Sequence, residues 1–387
     1  MATINLPSTD GTIARYTTRP PRAFPKADVP FNRVAFAAAH VVADPLADND
    51  PWLDPAIDWD RTIAFRKYLW SLGLGVAEAM DTAQRGMGMD WKNSLELIRR
   101  SLDASKDVTG AVIASGAGTD HLDAGPGVTI DDVIRAYEEQ CAAVEKLGGR
   151  IILMASRALA RAAKSPDDYA RVYDRILTQV KEPVVIHWLG EMFDPALAGY
   201  WGHADHDKAM DVAVDVIVNN AAKVDGVKIS LLDKNKEVAM RRRIPQGVRM
   251  YTGDDFNYAE LIAGDDRGYS GALLGIFDAI APAAAAALGS LARGDAKSFH
   301  DILAPTVPLS RHIFKAPTRF YKTGVVFMAY LNGLQDHFTM VGGQESARSA
   351  IHLAELFRLA DTAGLLADPD NAASRMSAVL ATRGIVN

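Results

Sequence analysis

Among the residues of this sequence, Lys228 is the one best placed for covalent chemistry. It lies in Asp225-Gly226-Val227-Lys228-Ile229-Ser230, with apolar neighbours on both sides, as in a strand buried on both faces. A lysine held there loses hydration, its pKa falls, and a neutral amine becomes available to attack a carbonyl carbon. A lysine paired with an acid such as Asp81, or one that holds an anion, would read the same way. His187 and Asp81 stand at the ends of two other short apolar runs. Carbinolamine dehydration and carbon–carbon cleavage both need proton transfer, which a histidine or a carboxylate can supply. The expectation is therefore a nucleophile, Lys228, served by Asp81 and His187. The plainer readings are a helix cap for Asp81 and a cavity-shaping histidine for His187.

Other candidates surround these three. Ser230 lies two residues beyond Lys228, on the same face of the strand, and could bind substrate. Arg157 could hold a carboxylate or phosphate in two hydrogen bonds. Ser115 and Gly253 also fall at strand ends, and of the adjacent Asp254 and Asp255 the first reads as a pocket hydrogen-bonder and the second as a helix cap. A metal site is the competing reading. The stretch 190–207 holds Glu191, His203, Asp205 and His206, and together with His187 and His40 these could ligate a divalent ion for a sugar isomerase, epimerase or metal-dependent aldolase. Trp188, Phe193, Tyr200 and Trp201 could wall a sugar face or simply pack.

The elements that must position these groups alternate along the chain. Short apolar runs at 33–40, 76–80, 111–115, 150–154, 184–187, 226–230, 248–252 and 269–273 predict strands. Helical patterns lie between them, at 60–70, 90–105 and 131–147, the last opened by a capping box at Thr129-Ile130-Asp131-Asp132. Ser165-Pro166 opens the next. Eight such units predict an α/β fold, a (β/α)8 TIM barrel over residues 31–294. The first strand is followed by His40-Val41-Val42-Ala43-Asp44 and no glycine-rich phosphate turn, which argues against a doubly wound sheet. A Pro- and Thr-rich N-terminal arm (1–30) and a C-terminal helical extension (295–387), with helices at 295–303, 319–334 and 344–362, complete the expected domain plan. In a barrel, function gathers at the C-terminal ends of the strands, where all the candidates above fall.

Over roughly residues 33–335, and most specifically from Lys228 to Asp255, the sequence resembles the dihydrodipicolinate synthase / N-acetylneuraminate lyase superfamily of class I aldolases, as a divergent bacterial branch of it. The resemblance rests on Asp225–Ser230, on Tyr251-Thr252-Gly253-Asp254-Asp255, on Gly268–Gly271 and on Ala292-Arg293-Gly294-Asp295. It implies a lyase or aldolase that forms an imine on Lys228 and needs no metal or organic cofactor. The substrate implied is a small keto acid or a sugar-derived ketone. Where the family carries Gly-Thr-Thr-Gly-Glu to hold a pyruvate carboxylate, this chain reads Asp81-Thr82-Ala83-Gln84-Arg85-Gly86. Thr82 is kept as a substrate-binding residue. Asp81 brings a negative charge beside that carboxylate, and Arg85 is the residue expected to compensate it. His187 takes the place of a family tyrosine that relays protons.

Composition narrows the remaining classes. With 42 basic and 48 acidic residues the 387-residue chain carries a net charge of −6, and no basic face for nucleic acid is expected. Cys141 is the single cysteine, in an alanine-rich stretch, and reads as an inert buried thiol. No apolar run reaches the ~18 residues of a membrane span, and no signal-peptide pattern opens the chain. A cytoplasmic enzyme without a membrane partner is expected, assembled as a homodimer or homotetramer.

Overall fold

The computed structural model describes residues 1–385. Val386 and Asn387, the last two residues of the expected 295–387 extension, lie outside the described residues. Eight parallel strands close into a barrel, as expected: β3 (Ala35–Ala38), β4 (Gly75–Glu78), β5 (Ile113–Ala117), β6 (Ile151–Leu153), β7 (Val184–Leu189), β8 (Val224–Ser230), β9 (Arg249–Thr252) and β10 (Gly271–Leu274). Strand β10 pairs with β3 to complete the ring. Each of the eight predicted runs overlaps one of these strands.

The helices between them follow from capping and period. Trp91–Ser105 starts at Asp90, whose carboxylate accepts the Asn93 N–H. Ile130–Lys146 opens with the predicted capping box, Thr129 and Asp132 each bonding the other's backbone N–H. Ala281–Ala292 is buried along nearly its whole length, and its alanines let it lie close against its neighbours.

The pleat divides the interior in two. A small cluster including Phe36, Ala38, Ala77, Ile152, Val185 and Leu273 fills the barrel, while the alternate residues Ala37, Val76, Leu153, Ile186 and Val227 join the layer under the helices.

The two ends of the chain meet. The N-terminal arm is a β-hairpin, β1 (Thr3–Pro7) against β2 (Ile13–Thr17). It packs on the C-terminal helix Ala350–Thr362: Tyr16 Oη donates to Asp361 at 2.6 Å, and Arg358 donates to the carbonyl of Pro7 at 3.0 Å. The extension holds helices at Ala296–Leu303, Tyr321–Leu331 and Ala350–Thr362, close to those predicted, and two more at Thr306–Ile313 and Pro369–Ala381. Tyr321–Leu331 is buried at every residue and lies against the mouth of the barrel.

Candidate active site

The alternation of β8 decides where Lys228 points. Val227 and Ile229 belong to the outer core, so Lys228 and Ser230 face the barrel interior. On β7 Ile186 and Trp188 are the outward pair, so His187 faces in, and the register sets it opposite Lys228 on the neighbouring strand. Lys228 is 7% exposed and forms no hydrogen bond or ion pair among the described residues. Burial pushes its pKa down, and the nearby charges of Asp255 and Asp81 oppose that shift.

Gly253, just past β9, makes room for this lysine. A Cβ at Gly253 would stand 2.8 Å from Lys228 Cε and 2.2 Å from Ser230 Oγ. His187 is completely buried, and burial, helped by the charge on Lys228, drives its pKa well below the usual histidine value. It is a neutral imidazole at pH 7. Its Nε2 lies 3.2 Å from Ser230 Oγ, and its Nδ1 is buried with no protein partner.

Asp81 and Thr82 sit on a strained turn at the end of β4. Ala79 (φ 52°) and Gln84 (φ 65°), in the left-handed region without being glycine, flank the short 3-10 turn Asp81–Ala83. Each such residue costs about 1–3 kcal/mol and persists only when its surroundings enforce it. Here the extension supplies part of that enforcement. Thr82 Oγ1 lies 2.8 Å from Tyr321 Oη, and the Gln84 side-chain amide donates to the Val341 carbonyl at 2.6 Å.

Two residues in this site were not foreseen from the sequence. Asp255, read as a helix cap, does accept a backbone N–H, that of Ile276 at 2.9 Å, but the helix it caps follows the next strand. Its burial beside Lys228 leaves its pKa pushed up to about 7, against the opposing pull of that hydrogen bond and of the lysine. Lys322, in the first turn of Tyr321–Leu331, is 4% exposed and pushed down to about 8 by burial, against the charges of Asp81 and Asp194. Its one sequence signal is Tyr321-Lys322 at the head of an otherwise apolar run.

Four expectations need correction. Arg85 does not compensate Asp81: its guanidinium is spent on Asp120, on the Gly116 carbonyl at 2.8 Å and on Gln140 Oε1 at 2.8 Å. Ser115 faces the helix layer, since its neighbour Ala114 lies in the barrel interior. The Asp254 carboxylate closes its own loop, accepting from Phe256 N–H at 2.9 Å and from Asn257 Nδ2 at 2.7 Å. The histidines of the metal reading do not converge. His206 stacks edge-on with Trp188 on the outside of the barrel and contacts Glu191, while His187 points inward, and His203 lies before the helix that Asp205 caps. Among the described residues no three His, Cys, Asp or Glu side chains are grouped to hold an ion.

A cavity of about 480 Å³ reaches this constellation at Asp81 and His187, and Arg85, Gly86, Arg157, Asp194 and Leu197 also stand in its walls. That is the size of a small-molecule site. Arg157 stands in it bonded to Asp194. Trp188, Tyr200 and Trp201 are buried packing residues, and of the aromatic group only Phe193 approaches the mouth, stacking edge-on with Tyr321.

Solved structures share this fold. The prophage protein YagE of E. coli K12, of the dihydrodipicolinic acid synthase family and solved with pyruvate, superposes with a TM-score of 0.66 at 12% identity, over 86% of this chain and 99% of its own. Dihydrodipicolinate synthase from Acinetobacter baumannii, also solved with pyruvate, gives 0.63 at 14% identity, over 86% of this chain and 99% of its own. The enzyme from Aquifex aeolicus gives 0.64 at 10%, with the same two coverages. No curated protein matches in sequence. The resemblance read from residues 225–255 is thus met at the level of fold. With a family model matching residues 4–385, the chain belongs to the family described as protein of unknown function (DUF993), and its TIM barrel is similar in fold to these dihydrodipicolinate synthase structures.

Proposed function

We propose that this protein is a class I lyase or aldolase that makes or breaks a carbon–carbon bond next to a carbonyl, through an imine on Lys228. The observation that carries the reading is a buried, inward-facing lysine with no ion-pair partner, set beside two carboxylates and a neutral imidazole. In the amine form, Lys228 Nζ adds to the substrate carbonyl carbon, and the carbonyl oxygen takes a proton to become the carbinolamine hydroxyl. Loss of that hydroxyl as water requires a second proton. Asp255, with a pKa about 7, can hold it near neutral pH, and Asp81 is the second carboxylate within electrostatic reach of the lysine. A base takes the proton from the hydroxyl on the departing carbon as the carbon–carbon bond breaks, so that fragment leaves as a carbonyl while the iminium accepts the bond's electron pair and becomes an enamine; in the synthetic direction the base takes the proton from the carbon that becomes nucleophilic. His187, neutral and with Nδ1 unpartnered, is the candidate. A proton returned to the enamine carbon restores the iminium, and its hydrolysis returns Lys228.

The substrate class supported is a small keto acid or a sugar-derived ketone. Pyruvate in two structural relatives supports the former by analogy. Thr82, Ser230 and Arg157 remain proposed substrate-binding residues, and assembly as a homodimer or homotetramer in the cytoplasm remains part of the proposal. The reading predicts that carbon–carbon cleavage or condensation survives exhaustive chelation and is lost in Lys228→Ala. Activity that collapses on chelation and returns with a divalent ion would refute it.

A further inference from the structure

We propose that a cavity between the barrel, the N-terminal arm and the C-terminal extension is a second binding site, and that it takes a small apolar molecule carrying one ammonium group. The inference is independent of the imine reading, since this cavity shares no wall residue with the one at Asp81 and His187.

The walls are mainly apolar and leave hydrogen-bond acceptors without donors. The cavity holds about 360 Å³, the size of a small-molecule site, between Phe24 of the arm, Pro282 of Ala281–Ala292, and Ala329, Leu334 and Leu365 of the extension. Asp278 belongs to the same wall and is 3% exposed. Its Oδ2 is taken by His40, at 2.8 Å from both the backbone N–H and ring Nδ1, while its Oδ1 is buried without a protein partner. The Asp278 carbonyl stands four residues before Pro282, which has no N–H to give it. Tyr68 also lines the cavity, and its hydroxyl forms no hydrogen bond among the described residues. A buried acceptor without a donor is costly, and an ammonium supplies three N–H groups.

Charge decides the kind of ligand. Tyr321–Leu331 and Ala350–Thr362 both end at this cavity, which is lined by Asn332, the cap of the first, and by Gly364, two residues past the second. Neither helix has a basic residue in its last turn, so each end leaves about half a negative charge there. Arg375 donates to the Tyr330 carbonyl but does not line the cavity. The charge of Asp278 adds to the helix ends and is felt at Tyr68, whose phenol is pushed up to about 12, first by burial and then by that charge. The ring faces of Phe24 and Tyr68 suit a cation as well. The one cation in the wall, Arg22, is exposed and lies over the Phe24 ring at 5.3 Å. It forms no ion pair among the described residues and bonds to none of these acceptors.

The test titrates the full-length protein calorimetrically with benzylamine, which is protonated at pH 7, and with its uncharged and anionic counterparts, benzyl alcohol and benzoate. Benzylamine should bind at least tenfold more tightly than the alcohol, and benzoate more weakly than either. Arg22→Met alters an exposed side chain, so a folded protein is expected, and removal of a like charge should tighten benzylamine binding at least twofold. An anion site would instead lose its ligand in this variant. Ala329→Leu fills the cavity and should abolish benzylamine binding while its melt stays cooperative. Lys228→Ala should bind benzylamine as the parent does, whatever the fate of the imine reading. Benzoate binding as tightly as benzylamine, weaker benzylamine binding in Arg22→Met, full binding in Ala329→Leu, loss of binding in Lys228→Ala, or no binding to the parent would each overturn the proposal.

Discussion

At the scale of single residues, the site depends on keeping one amine dry without pinning it. Gly253 is the clearest spatial requirement. A methyl group there meets Lys228 Cε and Ser230 Oγ well inside van der Waals contact. Gly253→Ala should lower stability by about 1–3 kcal/mol, as overpacked cores do, and slow borohydride trapping of Lys228 by a much larger factor than Tm alone would suggest. Parallel melts and trapping rates check this. The charge balance gives a second prediction. Asp255 and Asp81 favour the ammonium form of Lys228, opposing burial. Asp255→Asn keeps an oxygen for the Ile276 N–H and removes the charge, so the lysine should lose its proton more readily. The pH at which trapping reaches half its maximal rate should move down by about one unit. A shift upward would contradict the arrangement. Lys228 and His187 could be picked out in the sequence because each lies in the C-terminal half of a recognisable strand, and Asp81 because it follows one. The functions of Arg85, Asp254 and Asp255 were not, since which neighbour a side chain turns to is a tertiary matter.

At the scale of elements, the strands and caps were largely written in the chain, and the connections between distant elements were not. Period and capping place Ile130–Lys146 to within a residue or two. Nothing local says that Thr82 will meet Tyr321, 239 positions away, or that the Pro- and Thr-rich arm will pair with itself as β1 and β2. The helix Lys234–Arg241 carries a prediction of its own. Glu237 on it is 1% exposed and pushed up to about 8 by burial, with one oxygen accepting from Ser270 Oγ at 2.7 Å and the other unpartnered. Between the ordinary glutamate value and about 8 the folded state therefore holds a proton that the unfolded state has released, and stability falls as pH rises through that window. Glu237→Gln removes the titration. The Tm of the variant relative to the parent should climb steadily from pH 5 to pH 8, whereas a constant difference would show that Glu237 does not titrate there.

At the scale of the whole molecule, we propose that barrel and extension form one folding unit despite their different architectures. The core runs without a break from Val76 and Ile186 of the barrel to Phe327 and Leu356 of the extension, and β1 lies against the last helices. A chain ending at Gly294 loses Tyr321–Leu331 and with it the partners of the strained Asp81 turn. It should be insoluble or molten, while the full chain unfolds in a single transition. A truncated barrel that melts cooperatively near the parent Tm would contradict this. Removal of residues 2–17 should cost less, because it uncovers Ile4, Leu6 and the faces of two helices and leaves the mouth intact.

The central claim, an imine on Lys228, is tested most directly by intact-protein mass spectrometry after borohydride reduction in the presence of pyruvate, with ketoses and hydroxyaldehydes alongside, and by peptide mapping of any adduct. The account predicts one stable adduct per chain, mapped to Lys228 and absent from Lys228→Ala. An adduct on another lysine, or none with any carbonyl compound tried while the protein turns over a substrate, would contradict it.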